Sequence, residues 1–168
     1  ESIGPGVRFV KPGEHVVLHW RKSQGIESVP PSYTWKGKKL NAGLIATFNE
    51  YAIVSENRVT RIDSLDDMET ASLFGCAVLT GFGVVENNAK IKFGESVVVF
   101  GAGGVGLNII QAAALTSAHP IIAVDLHDNR LELAKKLGAT HLINSKKQNA
   151  ELAISEIIGK QGLDIFID

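Results

Sequence analysis

Hydrophobic and polar positions follow different patterns in the two halves of the chain, and the second half is the more regular. From residue 97 onward, short runs that are apolar at nearly every position alternate with longer segments of helical periodicity. Such runs predict parallel strands covered by helices on both faces of a sheet. The predicted strands lie at residues 97–100, 121–124, 141–143 and 163–167, and the predicted helices at residues 105–117, 129–137 and 150–158.

The first half has shorter apolar runs separated by turn-forming residues. The Pro-Gly pairs of GPGV and KPGE are turn signals. Strands are predicted at residues 15–20 and 46–54. Residues 21–43 between them are predicted to form a long, irregular surface excursion. This half therefore indicates β-structure and turns.

A helical pattern replaces the strand pattern near residue 63. Ser64 or Asp66 is the predicted N-cap of a helix that includes Met68. A second helix is predicted at residues 81–88.

The turn after the first strand of the second half is rich in glycine. Gly101, Gly103 and Gly106 fit the pattern G-x-G-x-x-G between a predicted strand and a predicted helix. The first glycine would permit a tight turn, the second would let a pyrophosphate approach the backbone, and the third would let the helix pack closely on the strand. The helix N-terminus would add free N–H groups for the phosphates. This context predicts a dinucleotide site.

An acidic residue ends the next predicted strand. Asp125 follows Gly106 by 19 residues and is the expected acceptor for the adenosine ribose hydroxyls, which favours NAD over NADP. Arg130 either reaches the adenosine or a phosphate or is a solvated helix charge. Two other interpretations of the loop stay open: a glycine-rich turn without ligand, and a methyltransferase-type cofactor site.

Composition excludes several other classes. The net charge of -1 indicates neither a nucleic-acid partner nor an anionic membrane. The single cysteine, Cys76, permits no internal disulfide and fits a reducing, cytoplasmic location. No apolar run is expected to reach membrane-spanning length, and the start has no signal-peptide pattern. Both ends are interpreted as cuts through a longer protein.

Four short motifs follow one another along the chain: Gly75-Cys76, Thr80-Gly81, FGAGGVG at residues 100–106, and Val124-Asp125. Together they resemble the zinc-containing alcohol dehydrogenases of the medium-chain dehydrogenase/reductase superfamily. The early segments ESIGPGV and KPGEHVV are similar to that family as well, so the resemblance covers essentially the whole chain. It implies an α/β chain, with the tail of a GroES-like β-rich catalytic domain at residues 1–76. The first half of a Rossmann NAD-binding domain, a doubly wound parallel sheet, would follow at residues 77–168.

The resemblance also implies zinc and NAD as cofactors. Cys76 would be a catalytic zinc ligand, with a further Cys and a His preceding Glu1; the alternative is a buried, inert thiol. Residues 21–43 contain no cysteine, so a structural zinc is not expected. Thr80 would lie against the nicotinamide. The implied cofactor-binding residues are Thr80, Gly101, Ala102, Gly103, Gly104, Val105, Gly106, Asp125 and Arg130.

The implied reaction is hydride transfer between NAD and an alcohol, aldehyde or ketone, in a homodimer or homotetramer. A zinc-free, quinone-reductase-like member of the superfamily and a non-catalytic nucleotide-binding protein remain as alternatives. The chain alone is expected to be inactive, because the other zinc ligands and part of the sheet would lie outside it.

Overall fold

A computed structural model describes residues 1–63 and 67–168. The chain forms two compact units, Glu1–Cys76 and Ala77–Asp168. The first unit contains two small antiparallel pairs of strands. Strand β1 (Val16–Leu18) pairs with β4 (Val59–Arg61), and β2 (Tyr33–Trp35) pairs with β3 (Lys38–Leu40).

The predicted strand at residues 15–20 is present as the shorter β1, but the one predicted at residues 46–54 is wrong. That segment contains no strand, and Phe48, Tyr51 and Ile53 are exposed. An apolar run becomes a strand only where a neighbour completes its backbone hydrogen bonds. The partner of β1 is β4 instead, with Val17 opposite Thr60.

The excursion at residues 21–43 is largely exposed, as predicted, but it is not irregular throughout. It contains the hairpin of β2 and β3, whose two-residue turn is formed by Lys36 and Gly37. Both have positive φ, 46° and 74°, as a type I′ turn requires. Lysine is rare at such a position, so residues 36–37 carry no strong hairpin signal.

A buried carboxylate organises the loops of the first unit. Glu56 accepts backbone hydrogen bonds from Arg8 at 2.5 Å, Phe9 at 2.7 Å and Ile26 at 2.9 Å. The hydrogen bond from Phe9, followed by those from Ile26 and Arg8, holds the pKa of Glu56 below its usual range. Glu56 therefore joins two segments that are distant in sequence.

We expect the first unit to lose stability in acid through Glu56. Because the folded-state pKa is lowered, the stabilisation is present above the ordinary Glu pKa of about 4.3 and is lost as the pH falls through the lowered value. Both tryptophans, Trp20 and Trp35, lie in this unit, so urea unfolding followed by tryptophan fluorescence reports on it. Glu56→Gln should lower the unfolding midpoint at pH 7 and flatten its dependence on pH below 4.

The matched control is Glu50→Gln, which removes the same charge from an exposed position. It should leave both the midpoint and its pH dependence close to those of the unsubstituted chain. A Glu56→Gln variant with the same acid profile as the unsubstituted chain would contradict this role.

The second unit is a parallel α/β sheet, which confirms the predicted fold class. Its strands are β5 (Val97–Phe100), β6 (Ile121–Asp125), β7 (His141–Asn144) and β8 (Ile165–Ile167), in the order β7–β6–β5–β8. Its longer helices are α3 (Gly104–Leu115), α4 (Asp128–Lys136) and α5 (Ala150–Ile158). Every predicted strand and helix from residue 97 onward is present, with ends that differ by up to two residues.

Both faces of this sheet are covered, which explains why its strands are apolar at nearly every position. Val97 and Val99 face the cluster that contains Ile110 of α3. Val98 and the alternate residues of β6 face the cluster that contains Ile154 of α5. Residues 97–99 of β5 and all of β6 are buried, so the carboxyl ends of these two strands are firmly placed.

Between β4 and β5 in the sequence, the chain is helical from Met68 to Ala89. The α-helical parts are α1 (Met68–Leu73) and α2 (Leu79–Gly83), and π-helical stretches follow at Phe74–Val78 and Val84–Ala89. The predicted caps Ser64 and Asp66 lie outside the described residues. The observed N-cap is Asp67, whose side chain accepts from Thr70 N at 3.0 Å.

This helical stretch corrects the expectation that no apolar segment reaches membrane-spanning length. It has 22 residues and a mean hydropathy of 1.5 over its most apolar window, and it is the single such helix in the described part of the chain. Core helices of soluble proteins meet the same criterion. The stretch does not indicate a membrane protein.

Candidate functional site

The glycine-rich loop joins β5 to α3 at the carboxyl edge of the sheet. Gly101 has a φ of +86°, a conformation that side chains rarely adopt, and its N–H donates to Val124 O at 2.8 Å. The first glycine therefore makes the tight turn that the motif predicts.

Gly103 is different, because no residue in the described part of the chain requires a glycine there. Its φ of -83° suits any residue, and a Cβ built on it meets no atom within 4 Å. The space beside this backbone is open, as the close approach of a ligand would require. The fold leaves a cradle that a larger side chain would fill.

Gly106 is required by packing. A Cβ at this position would lie 1.8 Å from Gly101 O and 3.7 Å from Val99 Cγ1. The third glycine was predicted to bring the helix close to the strand. The tightest contact is instead with the carbonyl of Gly101 in the loop. Gly106 therefore lets the start of α3 pack directly against the loop that precedes it.

The first turn of α3 presents backbone donors beside the open space. Gly103 is the N-cap and supplies no side-chain acceptor. The first N–H groups of any helix lack intrahelical partners, and the helix dipole adds partial positive charge at that end. The loop and helix thus form a geometry suited to a phosphate.

Asp125 lies at the end of β6, buried beside the loop. Its Oδ2 accepts from Ala102 N at 2.8 Å and its Oδ1 accepts from His127 N at 2.8 Å. Burial acts to raise the pKa of Asp125, but the hydrogen bonds from His127 and Ala102 and the nearby Arg130 charge outweigh it, so the pKa is lowered. The carboxylate is ionised and held in place.

Arg130 lies in the first turns of α4 beside this carboxylate. Its Nη1 is 3.7 Å from Asp125 Oδ2, while about half of the side chain is exposed. The guanidinium is therefore neither wholly solvated nor tightly bound. It is free to meet a ligand that reaches Asp125.

Thr80 lies on α2, which packs against the helix of the glycine loop. A Cβ at Gly81 would be 2.5 Å from Asn108 Cβ, so this glycine permits a close approach of α2 to α3. Asn108 Nδ2 in turn donates to Gly104 O at 2.8 Å. Thr80 itself is exposed. Sequence reasoning missed Asn108, whose only signal was its position two residues after Gly106.

Cys76 is exposed, so the alternative of a buried, inert thiol is wrong. Its neighbour Gly75 is required by packing, because a Cβ there would lie 1.9 Å from Leu18 O. Among residues 1–63 and 67–168, no three or more His, Cys, Asp or Glu side chains form a group that could hold a metal ion. The described residues therefore supply one exposed thiol and do not complete a zinc site.

A parallel sheet with a glycine loop after one strand and a buried acid ending the next is the arrangement typical of dinucleotide-binding α/β proteins. Residues 104–168 match the family described as zinc-binding dehydrogenase. The chain is 34% identical to an S-(hydroxymethyl)glutathione dehydrogenase of Paracoccus denitrificans over 94% of its own length and 48% of that protein. A Haemophilus influenzae protein of the same name is 32% identical over 97% of the chain and 50% of that protein.

Solved structures agree with these matches. Benzyl alcohol dehydrogenase from Acinetobacter calcoaceticus superposes with a TM-score of 0.75 at 32% identity, covering 94% of this chain and 49% of that one. These matches bear out the resemblance to the zinc-containing alcohol dehydrogenase family that the motifs implied. Zinc and NAD are the cofactors of this family. The chain spans about half the length of the curated relatives it matches.

Proposed function

We propose that the protein containing this chain is a dehydrogenase that transfers hydride between NAD and an alcohol or carbonyl compound. The observation that carries the proposal is the open space beside Gly103, next to free helix donors and within the loop that Asp125 holds. Residues 1–76 would be the tail of a GroES-like catalytic domain, and residues 77–168 the first half of the NAD-binding domain.

In this proposal the loop binds the cofactor's pyrophosphate, through the residues Gly101, Ala102, Gly103, Gly104, Val105 and Gly106. Asp125 would bind the adenosine ribose, Arg130 would reach the adenosine or a phosphate, and Thr80 would contact the nicotinamide end. These contacts would fix the ring that accepts or gives the hydride, and orientation of this kind is the protein's main contribution to cofactor chemistry.

Zinc enters the proposal only through Cys76, as one ligand of a site that the described residues do not complete. An exposed thiol is the type of donor that zinc prefers. Metal analysis of the full-length protein would separate this proposal from a zinc-free, quinone-reductase-like relative.

The names of two similar proteins support a proposal for the substrate class. The names S-(hydroxymethyl)glutathione and benzyl alcohol both denote compounds with a CH₂OH group. We therefore propose a small primary alcohol, or the corresponding aldehyde, as the first class to test. The expected homodimer or homotetramer remains a prediction.

Asp125→Ser is expected to reduce the preference for NAD. A carboxylate at the ribose accepts hydrogen bonds from NAD and repels the 2′-phosphate of NADP. The ratio of the NADP and NAD dissociation constants should therefore fall by about tenfold, measured by calorimetric titration of both cofactors. Asp128→Ser is the matched control, since Asp128 is an exposed acid that contacts Asn144 and Lys147 rather than the loop. An unsubstituted protein that already prefers NADP would show that the role given to Asp125 is wrong.

A further inference from the structure

We propose that Asp125 is a positioning residue for the glycine loop and supports phosphate binding even by a ligand that has no ribose. This inference rests on the proposed function and deepens it. The side chain of Asp125 makes a hydrogen bond within the protein itself, to the backbone of the glycine loop.

The contact is specific and buried. Asp125 Oδ2 accepts from Ala102 N at 2.8 Å, and Ala102 is almost completely inaccessible to solvent. Ala102 lies between Gly101, whose positive φ makes the turn, and Gly103, whose backbone borders the open space. Asp125 therefore holds the loop at the residue that connects these two glycines.

Removing the carboxylate would leave the Ala102 N–H without a partner. A buried, unpaired N–H is costly, so the loop is expected to move until this group reaches water or another acceptor. Such a movement would disturb the adjacent N–H groups of Gly103 and Gly104. The arrangement of backbone N–H groups that suits a phosphate would then be present for only part of the time.

The carboxylate is well suited to this role because it is itself fixed. His127 N donates to its Oδ1 at 2.8 Å, and Arg130 Nη1 lies 3.7 Å from its Oδ2. Each carboxylate oxygen has two acceptor sites, so one backbone N–H on each leaves capacity for ribose hydroxyls. The two roles of Asp125 are compatible.

The inference predicts an effect opposite in sign to simple electrostatics. Removing a negative charge near an anion site should strengthen anion binding by Coulomb's law. If Asp125 positions the loop, its removal should weaken anion binding. Inorganic pyrophosphate is the appropriate probe, because it has no ribose for Asp125 to contact.

The experiment is a titration of the ¹⁵N-labelled chain with sodium pyrophosphate at constant ionic strength, following the amide signals of Gly103, Gly104 and Val105. Asp125→Ala, which leaves no side-chain acceptor for Ala102 N, should weaken pyrophosphate binding by about threefold to tenfold, the effect of losing one ordinary hydrogen bond. Asp128→Ala removes the same charge and the same side-chain atoms from a residue that does not contact the loop, and it should leave binding unchanged or slightly tighter. Asp125→Ser, whose hydroxyl is too short to replace the carboxylate oxygen, carries the same expectation if Asp125→Ala does not fold.

Amide hydrogen exchange in the free chain gives a readout independent of any ligand. Ala102 should lose protection in Asp125→Ala, while Val98 and Ile122 in the central strands keep theirs. Pyrophosphate binding by Asp125→Ala as tight as that of the unsubstituted chain, or unchanged protection of Ala102, would overturn the inference. Absence of pyrophosphate binding by the unsubstituted chain would instead overturn the phosphate role that the proposed function gives to the loop, and exchange at Ala102 would still decide whether Asp125 holds the loop.

Discussion

Gly106→Ala is expected to destabilise the second unit by at least about 2 kcal/mol. The new Cβ would lie 1.8 Å from Gly101 O, a backbone atom that cannot rotate away. Replacing glycine by alanine within a helix ordinarily gains about 1 kcal/mol. That gain is smaller than the expected cost of moving α3 away from the loop that precedes it.

The matched control is Gly103→Ala, three residues earlier in the same loop. Its Cβ would meet nothing within 4 Å, and its φ of -83° suits alanine, so stability should change by less than about 0.5 kcal/mol. Urea unfolding followed by far-UV circular dichroism is suitable, because α3, α4 and α5 belong to this unit and both tryptophans belong to the other. Equal midpoints for the two variants would show that the close contact at Gly106 is not present.

The parallel sheet could be predicted because its signals are local. Each strand is a short apolar run buried on both faces, and Gly101 and Gly138 mark the end of a strand and of a helix. The predicted ends were off by only one or two residues, as expected when caps and fraying decide them.

The first unit was less predictable because short antiparallel strands depend on their partners. Residues 46–54 have strand-like composition but no pairing, while β4 pairs with β1 across more than forty residues of sequence. The β2–β3 hairpin has exposed residues on both strands and a Lys-Gly turn. Exposed residues on both strands produce no hydrophobic alternation, and a Lys-Gly turn is not a strong hairpin signal. The hairpin therefore could not be predicted from the sequence.

The candidate site was predictable in its residues but not in its contacts. The spacing of the glycines predicted a tight turn, the close approach of a ligand and a packing contact. In the structure Gly101 makes the turn, Gly103 borders open space and Gly106 makes the packing contact. The hydrogen bond from Ala102 to Asp125 joins residues 23 apart and depends on the register of β5 with β6. Likewise, the reason for a glycine after Thr80 is its contact with Asn108, which only the packing of α2 on α3 reveals.

Gly103→Val tests the central claim, that the loop is a cradle for the cofactor's pyrophosphate. Valine suits the extended backbone at this position, and a Cβ there meets no protein atom, so the fold should be kept. Its branched side chain would occupy the space where the pyrophosphate is proposed to lie.

The measurement is calorimetric titration of NAD into the unsubstituted chain, Gly103→Val and the control Gly4→Val, whose Cβ also meets nothing within 4 Å but lies in the first unit. Gly103→Val is expected to weaken NAD binding by at least about tenfold, or ~1.4 kcal/mol, while Gly4→Val leaves it unchanged. A folded Gly103→Val variant that binds NAD as tightly as the unsubstituted chain would contradict the cradle.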